Sequence, residues 1–599
     1  MPAINTPAWP APDDYVHSVT TEDQIETEQA IHRLFAPLRR PSLNFVQPET
    51  SAEPLYNPWM TDAEQFSTRH GDAASSASNL SNPQKLILER QAHVSFLTKL
   101  LEPLPGAYTA FDTNRSWLLY WILHSFDLLS FALDPKGRAR AISTLLSFQN
   151  RSQGGFGGGP NQVPHLMSTY AAINALAIIG GPGPAPTPDD VVQGRSVEIG
   201  RGGWQEIDRD AIYAWMMRLK QPDGSFLVHE NGEVDVRASY CVVCIASLLG
   251  ISTPQLMRGM GEFVASCQTY EGGLAASSQP TYHYTSSVPM LSDLNAARPA
   301  LGEAHGGYAF CSLATHLALS LYPDCSAPAS SSPHQHGSAG MLDMDALVRW
   351  ATSQQGIAIE GCGFRGRTNK LVDGCYGWFS GGGLFSVLSA VLENDVLAKG
   401  QIATDFNGML TLPTTPIVPD EAHSDTSGRS WTGHVSAEAE GPLEEDEEED
   451  LAPLCLYDRQ GLQEYILVAA QRPGEEGGGL RDKPGKRPDA YHTCYNLAGL
   501  ALAQHSVRLS LETKTYLLEH YKVREPPNKA CGAKQAEWNK NVYASMLSWT
   551  LSQRDEIVVA GKGASAEAKA NNRLNPAHPI FNITFPKAKA MMDWAYAQS

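Results

Sequence analysis

A recurring turn signal divides most of this chain into similar units. Each apolar stretch with helical periodicity ends in a polar pair containing Gln, and a glycine-containing turn closed by Phe or Leu follows it. Glycine permits the positive-φ backbone that ends a helix, and the closing apolar side chain can pack back beneath the turn. The pattern therefore predicts helical hairpins. It occurs at residues 148–156, 219–226, 267–274, 354–364 and 471–480.

The spacing of these turns predicts one large repeat domain. Successive closing residues lie 70, 48, 90 and 116 residues apart. A unit of about 48 residues, lengthened by surface insertions, accounts for the spacing and is typical of a closed or solenoidal helical array. Strand alternation of useful length is not seen, so we predict an all-α fold. The 599 residues then form one domain rather than the roughly four that length alone suggests.

Composition shifts set the domain boundaries. Residues 1–85 are rich in Pro, Ser, Thr and Asn and are predicted to be a partly disordered extension with a short amphipathic piece around Ile25–Leu38. Helical periodicity begins at Leu86, so residues 86–599 are assigned to the repeat domain. Low-complexity stretches predict insertions near 181–202, 279–301, 323–340, 400–452 and 524–570.

The net charge of −19 is concentrated in one segment. Residues 420–450 hold twelve acids and one base, which leaves −8 for the rest of the chain. This acidity argues against nucleic acid or an anionic membrane as the main partner. We read the acidic run as a solvated linker.

The chain shows no secretory signal at its N-terminus, and its longest apolar-leaning run, 240–251, is shorter than the ~20 residues that span a bilayer. We expect no transmembrane segment and a cytoplasmic protein. Its ten cysteines are therefore read as reduced thiols. Cys241 and Cys244 have CxxC spacing, but they lie in an apolar helical run and are read as core residues.

Three residues could form a metal site. Asp373 and Cys375 flank a glycine, and His492 lies beside a tyrosine. One oxygen, one sulfur and one nitrogen ligand with a fourth position open is the arrangement of a catalytic zinc site. By spacing alone, however, a capping Asp, a core Cys and a surface His are the better interpretation.

Other polar and aromatic clusters are ambiguous in the same way. Arg367 and Lys370 would share a face of a helix and could hold a polyphosphate, or form a solvated basic face. His305 precedes a Gly pair and Tyr308, which could be an ordinary helix boundary. Trp117 and Trp121 lie four residues apart, a spacing more often found in a core than in a substrate pocket.

Together these segments resemble the family of protein farnesyltransferase β subunits. The resemblance runs in order from about Trp117 to Tyr495, and 575–580 extends it toward the C-terminus. It rests on Gly-Gly-Phe-Gly-Gly-Gly-Pro (154–160), Lys-Gln-Pro-Asp-Gly-Ser-Phe (220–226), Glu-Val-Asp-Val-Arg (233–237), Glu-Ala-His-Gly-Gly-Tyr (303–308), Arg-Thr-Asn-Lys-Leu-Val-Asp-Gly-Cys-Tyr (367–376), Asp-Lys-Pro-Gly-Lys (482–486) and Tyr-His-Thr-Cys-Tyr (491–495).

The resemblance implies an α/α toroid, a barrel of two concentric helix rings, with the reaction in its cavity. It places zinc on Asp373, Cys375 and His492, with the open position taking the cysteine of a protein ending in Cys-a-a-X. It assigns Asp482 to a magnesium ion on the donor diphosphate. The residues it implies for binding the diphosphate of farnesyl diphosphate are His305, Arg367, Lys370 and Tyr376, and it counts Lys370 and Tyr376 as catalytic too.

The isoprenoid and peptide pockets are implied in the same way. Bulk at Trp117 and Tyr495 is expected to favour a fifteen-carbon donor. Where the family has Ser-Phe-Trp after the tyrosine, this chain has Gly-Trp-Phe, so either Phe379 or Trp378 takes the pocket position. The pocket residues implied are Trp117, Trp121, His165, Arg237, Tyr240, Tyr308, Trp378, Phe379, Tyr491 and Tyr495.

The resemblance also implies an obligate heterodimer with an α subunit, which contributes a lysine to the diphosphate, so this chain alone should be inactive. The close alternative is the β subunit of geranylgeranyltransferase type I. A triterpene cyclase would share the helical barrel, but its Asp-x-Asp-Asp type acid is not found; Asp189-Asp190 follows a proline. A non-catalytic helical barrel would have no use for the three metal ligands.

Overall fold

The computed structural model describes residues 18–36, 86–187, 189–190, 193, 202–285, 288–291, 298–322, 342–398, 456–522, 533–555, 557–558 and 566–598. The predicted insertions at 323–340 and 400–452 lie outside these residues, as does most of the N-terminal extension. The α-helices are α1 Val19–Phe35, α2 Arg90–Lys99, α3 Arg115–Leu128, α4 Pro135–Leu146, α5 Leu166–Ile179, α6 Arg209–Leu219, α7 Val236–Leu248, α8 Pro254–Met257, α9 Met260–Ser266, α10 Gly306–Leu321, α11 Met344–Thr352, α12 Gly383–Ala398, α13 Arg459–Tyr465, α14 Ala490–Gln504, α15 Leu511–His520, α16 Ala533–Leu547, α17 Ala566–Asn572 and α18 Phe585–Ala595.

Shorter elements complete the chain. The 3₁₀-helices are Gly106–Asn114, Trp204–Glu206, Ala358–Glu360 and Gly474–Glu476, and the π-helices are Gly377–Gly382 and Ile466–Ala470. The strands are β1 Ser277–Ser278, β2 Tyr282–Thr285, β3 Val288–Leu291, β4 Ala300–Leu301, β5 His505–Leu509 and β6 Trp549–Asp555. They form the antiparallel pairs β1–β4, β2–β3 and β5–β6, which the sequence did not predict because each pair is short.

The inner helices form a closed ring. α3 packs on α5, α5 on α7 and α7 on α10; the π-helix Gly377–Gly382 packs between α10 and α14, and α14 packs on α3. These helices are apolar on nearly every side, as α5 shows, because they contact both the outer helices and the barrel interior. The predicted all-α fold is therefore confirmed, and the array is a closed toroid rather than an open solenoid.

The Gln of each turn signal joins its unit to the next outer helix. The side-chain amide of Gln268 donates to the backbone carbonyl of Asp343 at 2.9 Å and accepts from its N–H at 2.7 Å, just before α11. Gln355 binds Asp458, before α13, in the same two-bonded way. Gln471 binds the segment before α2 and so closes the ring.

The glycines of these turns allow the next outer helix to come close. A Cβ on Gly272, which has φ +99°, would lie 2.2 Å from the carbonyl oxygen of Ala346 on α11. A Cβ on Gly478 would lie 2.4 Å from the carbonyl oxygen of Ala92 on α2. The repeated sequence is thus a contact between neighbouring units. In the second unit Lys220 replaces the Gln and donates to two carbonyls, of Leu256 and Arg258.

The C-terminal segment closes one end of the ring. Tyrosine hydroxyls from three inner helices donate to three successive carbonyls: Tyr240 to Ile580 at 2.7 Å, Tyr170 to Phe581 at 2.9 Å and Tyr120 to Asn582 at 2.7 Å. The helix that follows, α18, packs on α5 and α7. Residues 580–582 therefore form a floor inside the inner ring.

Three of the predicted insertions, 181–202, 279–301 and 524–570, are partly described. Residues 279–301 carry the β2–β3 hairpin, and 524–570 include α16 and β6. α16 packs against α7 and α10. By contacts within the chain, Val391–Cys455 separates as a second unit, of which only the end of α12 is described. No helix among the described residues is both long and apolar enough to cross a membrane.

Candidate functional site

The inner helices α5, α7 and α10 begin at the same rim of the barrel, because the backbone N–H at the start of each is bonded to the segment that follows the next turn: Leu166 to Val228, Val236 to Ala276 and Gly306 to Gly366. Polar side chains cap these starts: His165 on α5, Asp235 on α7, His305 on α10 and Asp489 on α14 each accept a backbone N–H of the first turn. Converging helix N-termini favour negative charge at this rim. The floor at residues 580–582 lies within the ring, away from the rim.

The rim brings the three predicted metal ligands together. One ligand atom each of Asp373, Cys375 and His492 lies within 4.8 Å of the other two. Cys375 is buried, and the His492 Nε2 lies 3.3 Å from the Asp373 Oδ1. Asp489 holds the ring of His492, because its Oδ2 lies 2.7 Å from Nδ1. That contact leaves Nε2 as the nitrogen that faces the other two ligands.

The electrostatics of this triad fit a cation. Burial works against charge on His492, yet hydrogen bonds to Asp373 and Asp489 raise its pKa to about 10. Burial opposes the ionisation of Asp373, but its contact with His492 keeps the pKa below the usual value. The pKa of the Cys375 thiol is raised by burial and by the Asp373 charge. The acids that surround His492 thus stabilise positive charge at the point where one carboxylate, one thiol and one imidazole meet, as a divalent cation site requires.

A histidine–tyrosine pair lies beside the triad. The Nδ1 of His305 accepts the Gly307 N–H at 3.0 Å, so a neutral ring carries its proton on Nε2. That nitrogen lies 3.0 Å from the hydroxyl of Tyr376, next in sequence to Cys375. Burial, then the charges of Arg367 and Arg237, lower the pKa of His305 to about 4. The neutral His305 can therefore donate to the Tyr376 oxygen and leave the phenol proton available to a ligand.

Arg367 and Lys370 lie on a loop, not on a helix face as the spacing predicted. Residues 365–372, hereafter the rim loop, are closed by bridge pairing of Arg365 with Val372, and the Lys370 N–H reaches the Arg367 carbonyl at 3.3 Å. Asn369, whose φ is +58°, favours this tight turn over a helix. Arg367 is ion-paired with Glu303, which lies two residues after the end of β4. Lys370 is exposed at the rim.

Asp482 lies close to the triad. Its backbone carbonyl accepts the Gly374 N–H at 2.7 Å, and its carboxylate is ion-paired with Lys483 at 2.5 Å. Burial and the charge of Asp373 raise the pKa of Asp482, although Lys483 opposes the change. A carboxylate beside a second carboxylate is a suitable ligand for a hard cation.

Below the rim, a belt of aromatic rings lines the inner helices. Successive rings lie 4.5 to 6.1 Å apart and the series returns to its starting residue, so the belt is closed. Apolar, rigid walls of this kind suit a long hydrocarbon chain. In order, the rings are Trp117, Trp121, Tyr491, Tyr495, Phe379, Phe310, Tyr240 and Tyr170.

The structure distinguishes the two aromatic residues that the sequence left open. Trp378 is 0% exposed and packs edge-to-face on Phe310, in the helix core. Phe379 is partly exposed, and its ring lies 4.5 Å from that of Tyr495 in the belt. Phe379 therefore lies in the belt, whereas the side chain of Trp378 lies between helices, so the geometry favours Phe379 for the pocket position.

The remaining predicted residues lie at the rim or in the belt. Arg237 is ion-paired with Asp235 at 2.6 Å and lies over the ring of Tyr308, 5.4 Å from its centroid. His165 faces His229, with ring centroids 5.4 Å apart. Tyr240 contacts the floor, since its hydroxyl donates to the Ile580 carbonyl.

Three site residues were missed from the sequence: Tyr170, Phe310 and Asp489. Tyr170 and Phe310 are the fifth residues of α5 and α10, the same position that Tyr240 holds in α7. Counting from the start of each inner helix would have found both. Asp489 had a signal too, since an Asp three residues before a ligand His, at a helix start, can bind both its N–H and its ring.

Comparisons with known proteins agree with this architecture. The family model for the prenyltransferase alpha-alpha toroid domain matches residues 88–583. The protein farnesyltransferase subunit beta of Pisum sativum is 34% identical over 407 residues, which cover 65% of this chain and 78% of that protein. That of Arabidopsis thaliana is 33% identical over 442 residues, covering 72% of this chain and 76% of the relative. The chain belongs to the farnesyltransferase β-subunit family.

A relative with the other donor in its name is less similar. The geranylgeranyl transferase type-1 subunit beta of Arabidopsis thaliana is 26% identical over 394 residues, covering 61% of this chain and 87% of that protein. Membership of the farnesyltransferase β-subunit family confirms the prediction made from the sequence strings, including a prenyltransferase activity. It also excludes the triterpene cyclase and the non-catalytic barrel.

Proposed function

We propose that this chain is the catalytic β subunit of a protein farnesyltransferase that alkylates the cysteine of proteins ending in Cys-a-a-X. The observation that carries the proposal is the Asp373–Cys375–His492 cluster, whose donor atoms lie within 4.8 Å of one another, next to the aromatic belt: the Tyr491 ring lies 4.9 Å from that of His492. The cluster would hold a cation that binds the substrate thiolate, and the aromatic belt beside it would hold the alkyl chain. The activity requires the α subunit, in an obligate heterodimer.

The cation is proposed to be zinc. One carboxylate, one thiolate and one imidazole are a zinc donor set with an open fourth position, and Asp489 already fixes the imidazole nitrogen that is needed. Bound zinc would lower the pKa of the substrate thiol, so that it reacts as a thiolate near neutral pH. Asp482 is proposed as a ligand of magnesium on the diphosphate, in exchange for its ion pair with Lys483.

The chain's own residues would bind the donor and stabilise its leaving group. The sulfur attacks the first carbon of the farnesyl chain, the carbon–oxygen bond to diphosphate breaks, and diphosphate leaves with the electron pair. Arg367 and Lys370, on the rim loop, would hold the diphosphate, and Tyr376 would donate its phenol proton as a hydrogen bond to the developing charge. His305 would orient that phenol.

The belt and the floor would set the length of the donor. Trp117 stacks on Trp121 with centroids 5.7 Å apart, and Tyr495 lies against Phe379, so both bulky residues narrow the cavity above residues 580–582. We therefore propose a fifteen-carbon donor. The protein substrates bind at the Arg237 and His165 side of the rim, and the complex is placed in the cytoplasm.

The test is metal analysis and turnover of the purified α/β complex. We expect about one tightly bound zinc per heterodimer and faster transfer from farnesyl than from geranylgeranyl diphosphate to a Cys-a-a-X peptide. Cys375→Ala should lose both zinc and thiol alkylation, whereas Cys362→Ala, a half-buried thiol outside the triad, should keep both. A clear geranylgeranyl preference would overturn the farnesyl assignment, and an active, zinc-free complex would overturn the metal's role.

A further inference from the structure

A buried carboxylate lies at the base of the rim loop. Glu360 is 3% exposed and accepts hydrogen bonds from the Arg365 Nη2 at 2.6 Å and the Ile357 N–H at 3.0 Å. A third comes from the side-chain amide of Gln24, 336 residues away on α1, at 3.1 Å. An acid this buried is costly unless it is paired, and here the partners come from both the loop and the N-terminal helix.

The N-terminal helix is packed firmly against this point. Ile31 is 0% and Phe35 2% exposed, and a Cβ on Gly361 would lie 3.1 Å from each of them. Glu28 is also buried and accepts the Gln24 amide at 2.6 Å. One amide therefore links a carboxylate of α1 to Glu360, beside an apolar contact that excludes water.

From Glu360 the connection to the site is short. Arg365 is the first residue of the rim loop and pairs with Val372, its last residue. The next residue, Asp373, donates its N–H to the Phe364 carbonyl at 2.9 Å. The Gly366 carbonyl accepts the Gly306 N–H at 2.8 Å, next to His305. Holding Arg365 in place therefore also positions the two ends of the rim loop, residues 365–366 and 372, relative to the start of α10.

We propose that Glu360, held by α1, is a positioning residue that sets the rim loop for the diphosphate of the prenyl donor. The proposal rests on the proposed function, in which Arg367 and Lys370 bind that diphosphate. Glu360 itself touches no substrate. It would act by keeping the loop in one conformation before the donor arrives, which lowers the ordering cost of binding. The N-terminal helix is then part of the donor site, although it lies outside the repeat.

The test uses the α/β complex carrying Glu360→Gln, which keeps the shape but loses the charge that pairs with Arg365. We expect the Kd and KM for farnesyl diphosphate to rise about tenfold, since small misplacements of binding groups are costly, while kcat at saturating donor and zinc content stay unchanged. Gln24→Ala should give a smaller rise. Gln29→Ala is the control on the same helix: its side chain accepts a hydrogen bond from Arg33 rather than binding Glu360, so the change should leave donor binding unchanged.

A double-mutant cycle separates positioning from general damage. If Glu360 acts through Arg365, then Arg365→Gln and the double variant should weaken donor binding by the same factor as Glu360→Gln alone. Unchanged donor affinity in a folded Glu360→Gln complex, or a parallel loss of kcat, zinc and peptide binding, would overturn the proposal. If the wild-type complex uses only geranylgeranyl diphosphate, the proposed function fails. The same variants measured with that donor still test whether Glu360 positions the rim loop.

Discussion

Asp489 holds His492 at two atoms. Its Oδ1 accepts the backbone N–H of His492 at 2.8 Å, as the cap of α14, and its Oδ2 lies 2.7 Å from the ring Nδ1. A single side chain therefore starts the helix and fixes the imidazole tautomer. The proposed zinc site depends on this second contact, because only Nε2 faces Asp373 and Cys375.

Asp489→Asn is expected to weaken zinc binding about 10–100-fold, the usual effect of losing an outer partner of a ligand histidine. Asn is as good a helix cap as Asp, so α14 should remain intact. The measurement is competition for zinc between the α/β complex and a chelator of known affinity. Asp458→Asn is the matched control, since Asp458 caps α13 in the same way but holds no histidine. Equal zinc affinity in Asp489→Asn and wild type would refute the role.

Much of the fold and part of the site could be predicted from local sequence. The Gln and Gly turn signals predicted the helical units because each signal sits within a few residues of the helix it ends. The contact of Gln268 with Asp343 could not be predicted, because the partner lies 75 residues away, beyond an insertion. The Gln24–Glu360 bond is hidden for the same reason.

Side-chain direction was the other limit. Asp373, Cys375 and His492 could be proposed as ligands from the resemblance, but their approach to one point depends on packing of the rim loop and α14. Trp378 and Phe379 are adjacent and chemically alike, and the π-helix that carries them decides which one faces the cavity. No property of the two residue types alone predicts that turn of the backbone.

The Gln contacts between units should contribute measurably to stability. Gln268→Ala removes both hydrogen bonds to the backbone of Asp343 and is expected to lower the free energy of unfolding by about 1–3 kcal/mol. Urea denaturation of the α/β complex measures the loss. Gln279→Ala, at an exposed position eleven residues later, should unfold like wild type. Equal stability of the two variants would show that the hydrogen bonds of Gln268 to Asp343 do not stabilise the fold.

Glu464 should make stability depend on pH. Burial raises the pKa of Glu464 to about 7 from the usual 4.5 of a glutamate, and the hydrogen bond from Gln460 offsets this only in part. The folded state then binds a proton more tightly than the unfolded state, so stability is highest below about pH 4.5 and this contribution is lost as pH rises through 7. Glu464→Gln should remove the loss, of the order of 3 kcal/mol.

The measurement for Glu464 is the Tm of wild-type and Glu464→Gln complexes between pH 5 and 8. The difference in Tm should grow with pH in favour of the variant and level off once the pH exceeds about 7. Glu476→Gln, on a surface residue whose carboxylate pairs with Arg472, serves as the control and should follow wild type. A constant difference across the range would show that Glu464 does not titrate there.

Trp378 and Phe379 should give opposite results when each is changed to Ala. Trp378 is fully buried against Phe310, so Trp378→Ala is expected to cost about 3–5 kcal/mol of stability. Phe379 faces the cavity beside Tyr495, so Phe379→Ala should change stability less and instead raise the KM for the prenyl donor and improve the use of a longer chain. Denaturation and turnover with farnesyl and geranylgeranyl diphosphate measure the two effects on the same α/β complexes.

The conservative variant Phe379→Tyr is the control and should keep the wild-type donor preference. Donor kinetics altered by Trp378→Ala but not by Phe379→Ala would reverse the assignment of the two rings.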